Sequence, residues 1–553
     1  MDRGRDPLPS VPRSMGVGGA TMERWKPPVE TSKKEDMLLA RAKRSRKLFA
    51  FLRLHRHVLF DDAFQSELEA LYRDSGAGSE PVPPAMLCMA LIVQGYLGTS
   101  DAEAVELTVV DARWQMVLDR IGSDEPAFAQ GTLQRFRERL IANDMDKRLL
   151  ERTIELARHA RDFDWKKLPK SLRVAVDSRP LAGAGRVEDT FNLLGHAGRK
   201  LIALVAKERG TSAAEICTAA RTPLLQGSST KAALDIDWND VEQKEDAFDA
   251  LALQVAGLVD WLEIQKLAED EPLRPYLNAL LDVWAQDVEV EGDHRLRIRQ
   301  GVAPDRRISI EDPDMRHGRK SSSKLIDGYK EHVATDVDSG LIYACEVTPA
   351  NRPEGEGGTA LRNDLVDQGV RIRELLIDRA YIKSSLVDET IEYGGRISCR
   401  AWRPHNRYSG LFTKADFQID VQRMEITCPA GQTQSFSLGE IVRFDGKTCD
   451  RCELRSQCTK AAPGRGRAVQ IATDERLQKK LRRLTTTPGG RSRLRERTVV
   501  EHSLAHVAAR KGPRARYRGT RRNLFDLRRA STIQNLETLH RVTTRVEQVQ
   551  KAA

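Results

Sequence analysis

Two short apolar runs, far apart in the chain, each stop at an aspartate: Val174-Ala175-Val176-Asp177 and Leu375-Leu376-Ile377-Asp378. Runs of this length bounded by polar residues predict buried strands. A carboxylate at the tip of a buried strand is costly unless it is neutralised, and a divalent cation with oxygen ligands is the usual remedy. A third acid, Glu501, lies in a helical segment crowded with arginine. If the three converge, the chain must be an α/β fold that draws distant segments into one pocket able to hold two cations.

The period of the apolar residues divides the 553-residue chain. Residues 1–32 are rich in Pro, Gly and Arg and predict a disordered tail. From 33 to 163 the spacing is helical, as in Phe64-Leu68-Leu71-Tyr72 and Met86-Met89-Ala90-Ile92-Val93, with Pro81, Pro83, Pro84 and Gly98 as punctuation. This predicts an all-helical domain that binds DNA, although the arginines of Thr132 to Asn143 read equally well as a solvated face. Residues 165–210 and 300–420 alternate strands with helices, and 211–299 form an acidic helical insertion. Within the second strand region, Tyr329 to Asp336 and Leu341 to Val347 flank Asp338-Ser339-Gly340, which predicts a hairpin with Asp336 and Asp338 in the turn. The longest apolar stretch, Ala85 to Tyr96, is too short to span a bilayer, and the N-terminus has no apolar leader, so a cytoplasmic protein is expected.

Charge is unevenly distributed. The net charge is +10. Between Arg476 and Arg529 there are eighteen Lys or Arg against three acids, whereas Asp235 to Asp293 holds seventeen acids against three bases. The basic run overlaps Glu501, which favours contact with a phosphate backbone over a merely solvated face.

Cys88, Cys217, Cys345 and Cys399 stand singly in apolar surroundings and read as core residues. Cys428, Cys449, Cys452 and Cys458 instead fall within one insert, residues 421–470, as Cys-x20-Cys-x2-Cys-x5-Cys. That spacing suits a structural Zn2+. Reduced thiols in a loop-rich insert, or a knuckle without metal, are the competing readings.

Several stretches resemble the DDE transposases of bacterial insertion sequences, most closely the group numbered eleven eighty-two. They are Asp177 with Gly183-Ala184-Gly185-Arg186-Val187-Glu188-Asp189-Thr190, and Asp312-Pro313-Asp314-Met315-Arg316 before Gly328-Tyr329. Further on come Leu376-Ile377-Asp378-Arg379-Ala380-Tyr381, Arg497-Thr498-Val499-Val500-Glu501-His502 and Tyr517-Arg518-Gly519. The resemblance implies a ribonuclease H-like mixed sheet flanked by helices, with residues 471–540 closing the catalytic core. It also implies Asp177, Asp378 and Glu501 as ligands of two Mg2+ ions, replaceable by Mn2+, in an enzyme that cuts and rejoins double-stranded DNA, with a homodimer pairing two element ends. Arg497 would contact phosphate or orient the carboxylate, since positions four apart share a helix face. Relatives often carry a Tyr and a Lys where this chain has Leu494 and Ala508, and Lys511 is the candidate substitute for that lysine.

The chemistry fits these residue types. Two Mg2+ ions about 3.5–4 Å apart serve both ends of an in-line displacement at phosphorus, and hard oxygen ligands suit them. Arg497, Arg510, Lys511, Arg514, Arg516 and Arg518 would then follow the flanking DNA backbone. Each acid also has a plainer reading: Asp177 as a turn former, Asp378 as the cap of a helix near Tyr381, and Glu501 as the partner of Arg497. A catalytically silent DNA-binding relative and a nuclease without a joining step are the rival functions.

Overall fold

The computed structural model describes residues 23–41, 48–72, 80–159, 171–292, 294–320, 324–404, 406 and 408–552. The tail expected over 1–32 lies outside these as far as residue 22. The chain divides into two compact units, residues 1–163 with 536–553, and residues 164–535. Among the described residues no helix is long and apolar enough to cross a membrane.

The first unit is helical. The helix Pro84–Leu97 starts with proline at its first turn and ends at Gly98 in the left-handed conformation (φ 75°), and it is buried along nearly its whole length. Around it pack Phe64, Trp114 and Phe136, each fully buried. Several of the cations in this region are structural. Arg53 pairs with Glu35, and Arg56 donates to the carbonyls of Met116 (2.7 Å) and Val117 (3.0 Å). On the helix Gln130–Ala142, Arg137 is tied to Asp101 and Arg139 lies over the Tyr72 ring. Of the three arginines there, only Arg135 is exposed.

The second unit is built on a six-stranded mixed sheet: β1 (Ser171–Ala182), β2 (Arg316–Arg319), β3 (Leu325–Asp336), β4 (Ile342–Pro349), β5 (Arg371–Leu376) and β6 (Arg396–Ser398). Strand β1 is central. It pairs antiparallel with β3, from Val174 opposite Asp336 to Ala182 opposite Gly328, and parallel with β5, from Ser171 opposite Arg371 to Ala175 opposite Leu376. The far edge of β3 carries β2 and then β4, while β6 lies parallel on β5. Strand β1 continues beyond Asp177 because Ser178 to Ala182 still have β3 beside them. The hairpin turn lies where expected, with the Ser339 backbone N–H donating to Asp336 Oδ2 (2.9 Å) and Gly340 N–H to the Asp336 carbonyl (2.8 Å).

Helices Thr190–Arg209, Val241–Ile264 and Arg274–Asp287 bury Phe191, Leu201, Phe248, Leu251, Val255, Leu258 and Leu280 against one another. The acidic segment therefore shares a core with the helix before it, and most of its carboxylates lie outside that core, with Asp287 buried against Arg306 and Thr190. Gly183 and Gly185 allow the chain after β1 to pass close to its neighbours, since a Cβ there would meet Met315 Sδ at 2.1 Å and Ser309 Oγ at 2.5 Å. The Asp312-Pro313-Asp314 segment anchors the start of the last helix. Asp312 accepts from the Tyr329 hydroxyl and from Gly519 N–H (3.0 Å), and Asp314 accepts from Thr520 N–H (2.7 Å).

Residues 417–471 form a small β unit. A three-stranded sheet (Gln418–Asp420, Glu425–Thr427, Thr433–Ser435) and a strand pair (Ile441–Arg443 with Ala468–Gln470) enclose Phe417, Ile426, Phe444 and Ile471.

Candidate active site

The register of β1 and β5 places the two aspartates. Ala175 lies beside Leu376, so Asp177 and Asp378, each two residues further on, emerge at the same level of neighbouring parallel strands. Strand β5 ends at Leu376, and Asp378 caps the turn Arg379–Tyr381, accepting from Ala380 N–H at 2.7 Å. The plainer capping reading is thus satisfied by one oxygen, which leaves the second turned to other uses. Glu501 arrives on the helix Thr498–Lys511, which packs across β1 and β3.

Asp177, Asp378 and Glu501 line one cleft of about 600 Å³, together with Ser178, Lys320, Lys330, Glu354 and Arg497. Arg497 bridges two of the acids, with Nη1 donating to Asp177 Oδ2 and Nη2 to Glu501 Oε1, each at 2.6 Å. Burial pushes the Asp177 carboxyl above its usual range, against the pull of Arg497, and the Asp378 charge adds to the rise. Glu354, at the first turn of the helix Glu354–Asp367, is raised in the same way, by burial first and then by Asp378. Like charges thus crowd a partly desolvated space, with Arg497 bonded to two of them and Lys320 and Lys330 also on its walls.

The donors are carboxylate oxygens, which suit Mg2+ or Mn2+. Among the described residues no three carboxylate, imidazole or thiol groups stand close enough to share an ion in this arrangement. Between Asp177 and Glu501 the reason is visible, because Arg497 lies there.

Two stretches of the chain match models of known families. Residues 423–540 match the model described as Transposase DDE domain, and residues 40–139 match the Transposase domain (DUF772). Both matches support a DDE-type insertion-sequence transposase. No curated protein and no solved structure matches it. The first match includes Glu501 and the four clustered cysteines, while Asp177 and Asp378 lie outside both.

The basic residues near the cleft divide by surroundings. Arg514 and Arg516 are exposed, the former donating to the carbonyls of Gly183 and Ala184 (3.2 Å each), the latter to that of Arg510 (3.0 Å). Arg518 is more than half exposed and pairs with Glu311. Arg510 is half-buried. Lys511 corrects the expectation set for it: only 2% exposed, it bonds Glu331 (2.5 Å) and Asp526 (3.3 Å) and has no path to a phosphate. Burial opposes the Asp526 charge, yet Lys511 and Arg529 hold its pKa down to about 2.

In the small β unit, Cys428, Cys449, Cys452 and Cys458 line one cavity of about 670 Å³ and all are free thiols. Burial pushes the Cys458 thiol up, Arg467 pulls it down, and the other three thiols raise it again, so the four lie within electrostatic reach of one another.

The sequence reading missed Glu354, Lys330 and Ser178 as members of the cleft. Glu354 sits in Pro353-Glu354-Gly355-Glu356-Gly357-Gly358, which reads as a polar loop. The signal available was a proline followed by acids, the pattern of a helix N-terminus.

Proposed function

We propose that this transposase binds the ends of its insertion sequence, hydrolyses phosphodiester bonds there in a Mg2+-dependent reaction, and joins the freed 3′ ends to target DNA. The observation that carries this reading is the gathering of Asp177, Asp378 and Glu501 along one cleft, with Arg497 bonded to two of them. The strand order, three antiparallel strands followed by two parallel to the central one, supports a ribonuclease H-like core. Membership of the insertion-sequence group numbered eleven eighty-two is part of the same proposal.

Asp177, Asp378 and Glu501 would hold the ions, with Mn2+ as an effective substitute. When bound, Mg2+ supplies Lewis-acid stabilisation to the entering and leaving oxygens at phosphorus. Arg497 leaves its carboxylates for the scissile phosphate, a planar donor exchanging one oxyanion for another. Arg514, Arg516 and Arg518, with Arg510 beside them, follow the flanking backbone of the duplex. The thiol cavity is proposed to take a structural Zn2+, and a homodimer to bring two ends together in the cytoplasm.

The test is incubation of the purified chain with labelled element ends and Mg2+, followed by product sizing. Asp177→Asn, Asp378→Asn and Glu501→Gln are each expected to abolish cleavage while end binding survives. Normal cleavage by any one of them removes that residue from the site. Wild-type binding without nicking would favour a catalytically silent relative, and nicking without joined products a simple nuclease.

A further inference from the structure

Four acids, not three, face the cleft, and the fourth is held there by unusually close packing. The helix Glu354–Asp367 begins with Pro353 at its cap and Glu354 in its first turn. Gly357 and Gly358 let that turn press onto the site. A Cβ on Gly357 would meet the His332 ring at 2.7 Å, and one on Gly358 would meet Ser384 Cβ at 2.8 Å. The surfaces beneath are rigid: His332 is buried on β3, bonded through Nδ1 to the Tyr381 hydroxyl (2.6 Å) and through Nε2 to Thr348 (2.9 Å). Tyr381 belongs to the turn that Asp378 caps. The helix start is thereby fixed to the segment carrying Asp378, and Glu354 opens into the same cleft as Asp177, Asp378 and Glu501.

The acids differ in their partners. Asp177 and Glu501 share Arg497, whereas among the described residues neither Asp378 nor Glu354 makes a direct ion pair, and Lys320 and Lys330 line the same cleft without closing on either. Glu354 and Asp378 repel each other across this partly buried space, and the Lys330 charge and the Ser178 hydroxyl offset that repulsion at Glu354 without standing between the two carboxylates as a shared cation would. Glu356 offers a contrast, being on the same turn but exposed.

We propose that Glu354 is a fourth acidic ligand of the catalytic cleft, sharing with Asp378 the divalent cation nearer to β5. The inference rests on the three-carboxylate reading and adds to it. With two ions carrying +4, a fourth carboxylate balances the ions themselves, and the positive charge that draws the scissile phosphate is then that of Arg497, Lys320 and Lys330.

The experiment is Mn2+ titration of the full chain, followed by the free-ion electron paramagnetic resonance signal, together with the Mg2+ dependence of end cleavage. Glu354→Gln is expected to weaken Mn2+ binding by about 10–100-fold, the range for losing a group that supports a metal site. It should also raise the Mg2+ concentration needed for half-maximal cleavage, with end binding and thermal midpoint unchanged. Glu354→Asp should recover part of the affinity, and Glu356→Gln should behave as wild type. Wild-type Mn2+ affinity in Glu354→Gln, alongside loss in Asp177→Asn, would overturn the role of Glu354 alone. Wild-type affinity in both would instead bring down the three-carboxylate reading beneath it.

Discussion

Arg497 bonds Asp177 and Glu501, and on the proposed reading those two bonds would make it a competitor for the metal as well as a partner for DNA. Replacing it with alanine should therefore tighten Mn2+ binding in the absence of DNA, weaken end binding, and reduce cleavage at least about tenfold, the cost of one charge-assisted contact. Unchanged Mn2+ affinity would mean that the guanidinium does not occupy the ion's place. Lys511 makes the opposite point. Lys511→Met takes away the cation that Glu331 and Asp526 share, leaving each with one arginine, Arg179 and Arg529, and should destabilise the second unit by about 1–3 kcal/mol in denaturant titration. Asp526 adds a pH dependence of known sign. Its folded pKa is depressed, so its contribution is fully present above about pH 4 and is lost as pH falls towards about 2; Asp526→Asn should flatten that part of the stability profile.

At the level of strands and helices, much of the site was legible in the chain. The apolar runs before Asp177 and Asp378 announced β1 and β5, because a strand buried on both faces reads as a continuous run. The hairpin after β3 announced itself through Asp338-Ser339-Gly340. The pairing of Arg497 with Glu501 follows from helix spacing, but its second bond, to Asp177, spans 320 positions and needs the fold. The burial of Lys511 was hidden for the same reason, since Glu331 lies 180 positions away. Glu354 was hidden by glycines, which lower helix propensity and suggested a loop, whereas here they permit close approach to His332 and Ser384. Gly357→Val should consequently impair cleavage and Mn2+ binding more than end binding, by pushing the helix start away from Asp378. In the β unit, one Zn2+ per chain is expected by metal analysis, falling on Cys449→Ser or Cys452→Ser; a metal-free wild-type chain of normal stability would exclude a structural ion.

Across the second unit, opposite charges are segregated between the acidic helices of 235–293 and the arginine-rich segment after residue 476. A substrate of phosphates is steered toward the latter and repelled by the former. End binding should weaken steeply with salt, and replacing Arg514, Arg516 and Arg518 by alanine should lower the log–log salt slope by about one for each phosphate no longer neutralised. A slope unchanged in that triple variant would place the duplex elsewhere on the surface.

The bridge from Arg497 to Asp177 also has a temporal meaning. At roughly 5–20 residues per second of synthesis, some tens of seconds separate the ribosome's passage over the first aspartate from its arrival at the closing helix. Throughout that interval the growing chain holds an incomplete set of carboxylates. On the proposed reading, a product released before Glu501 is made lacks its third carboxylate and is expected not to cut.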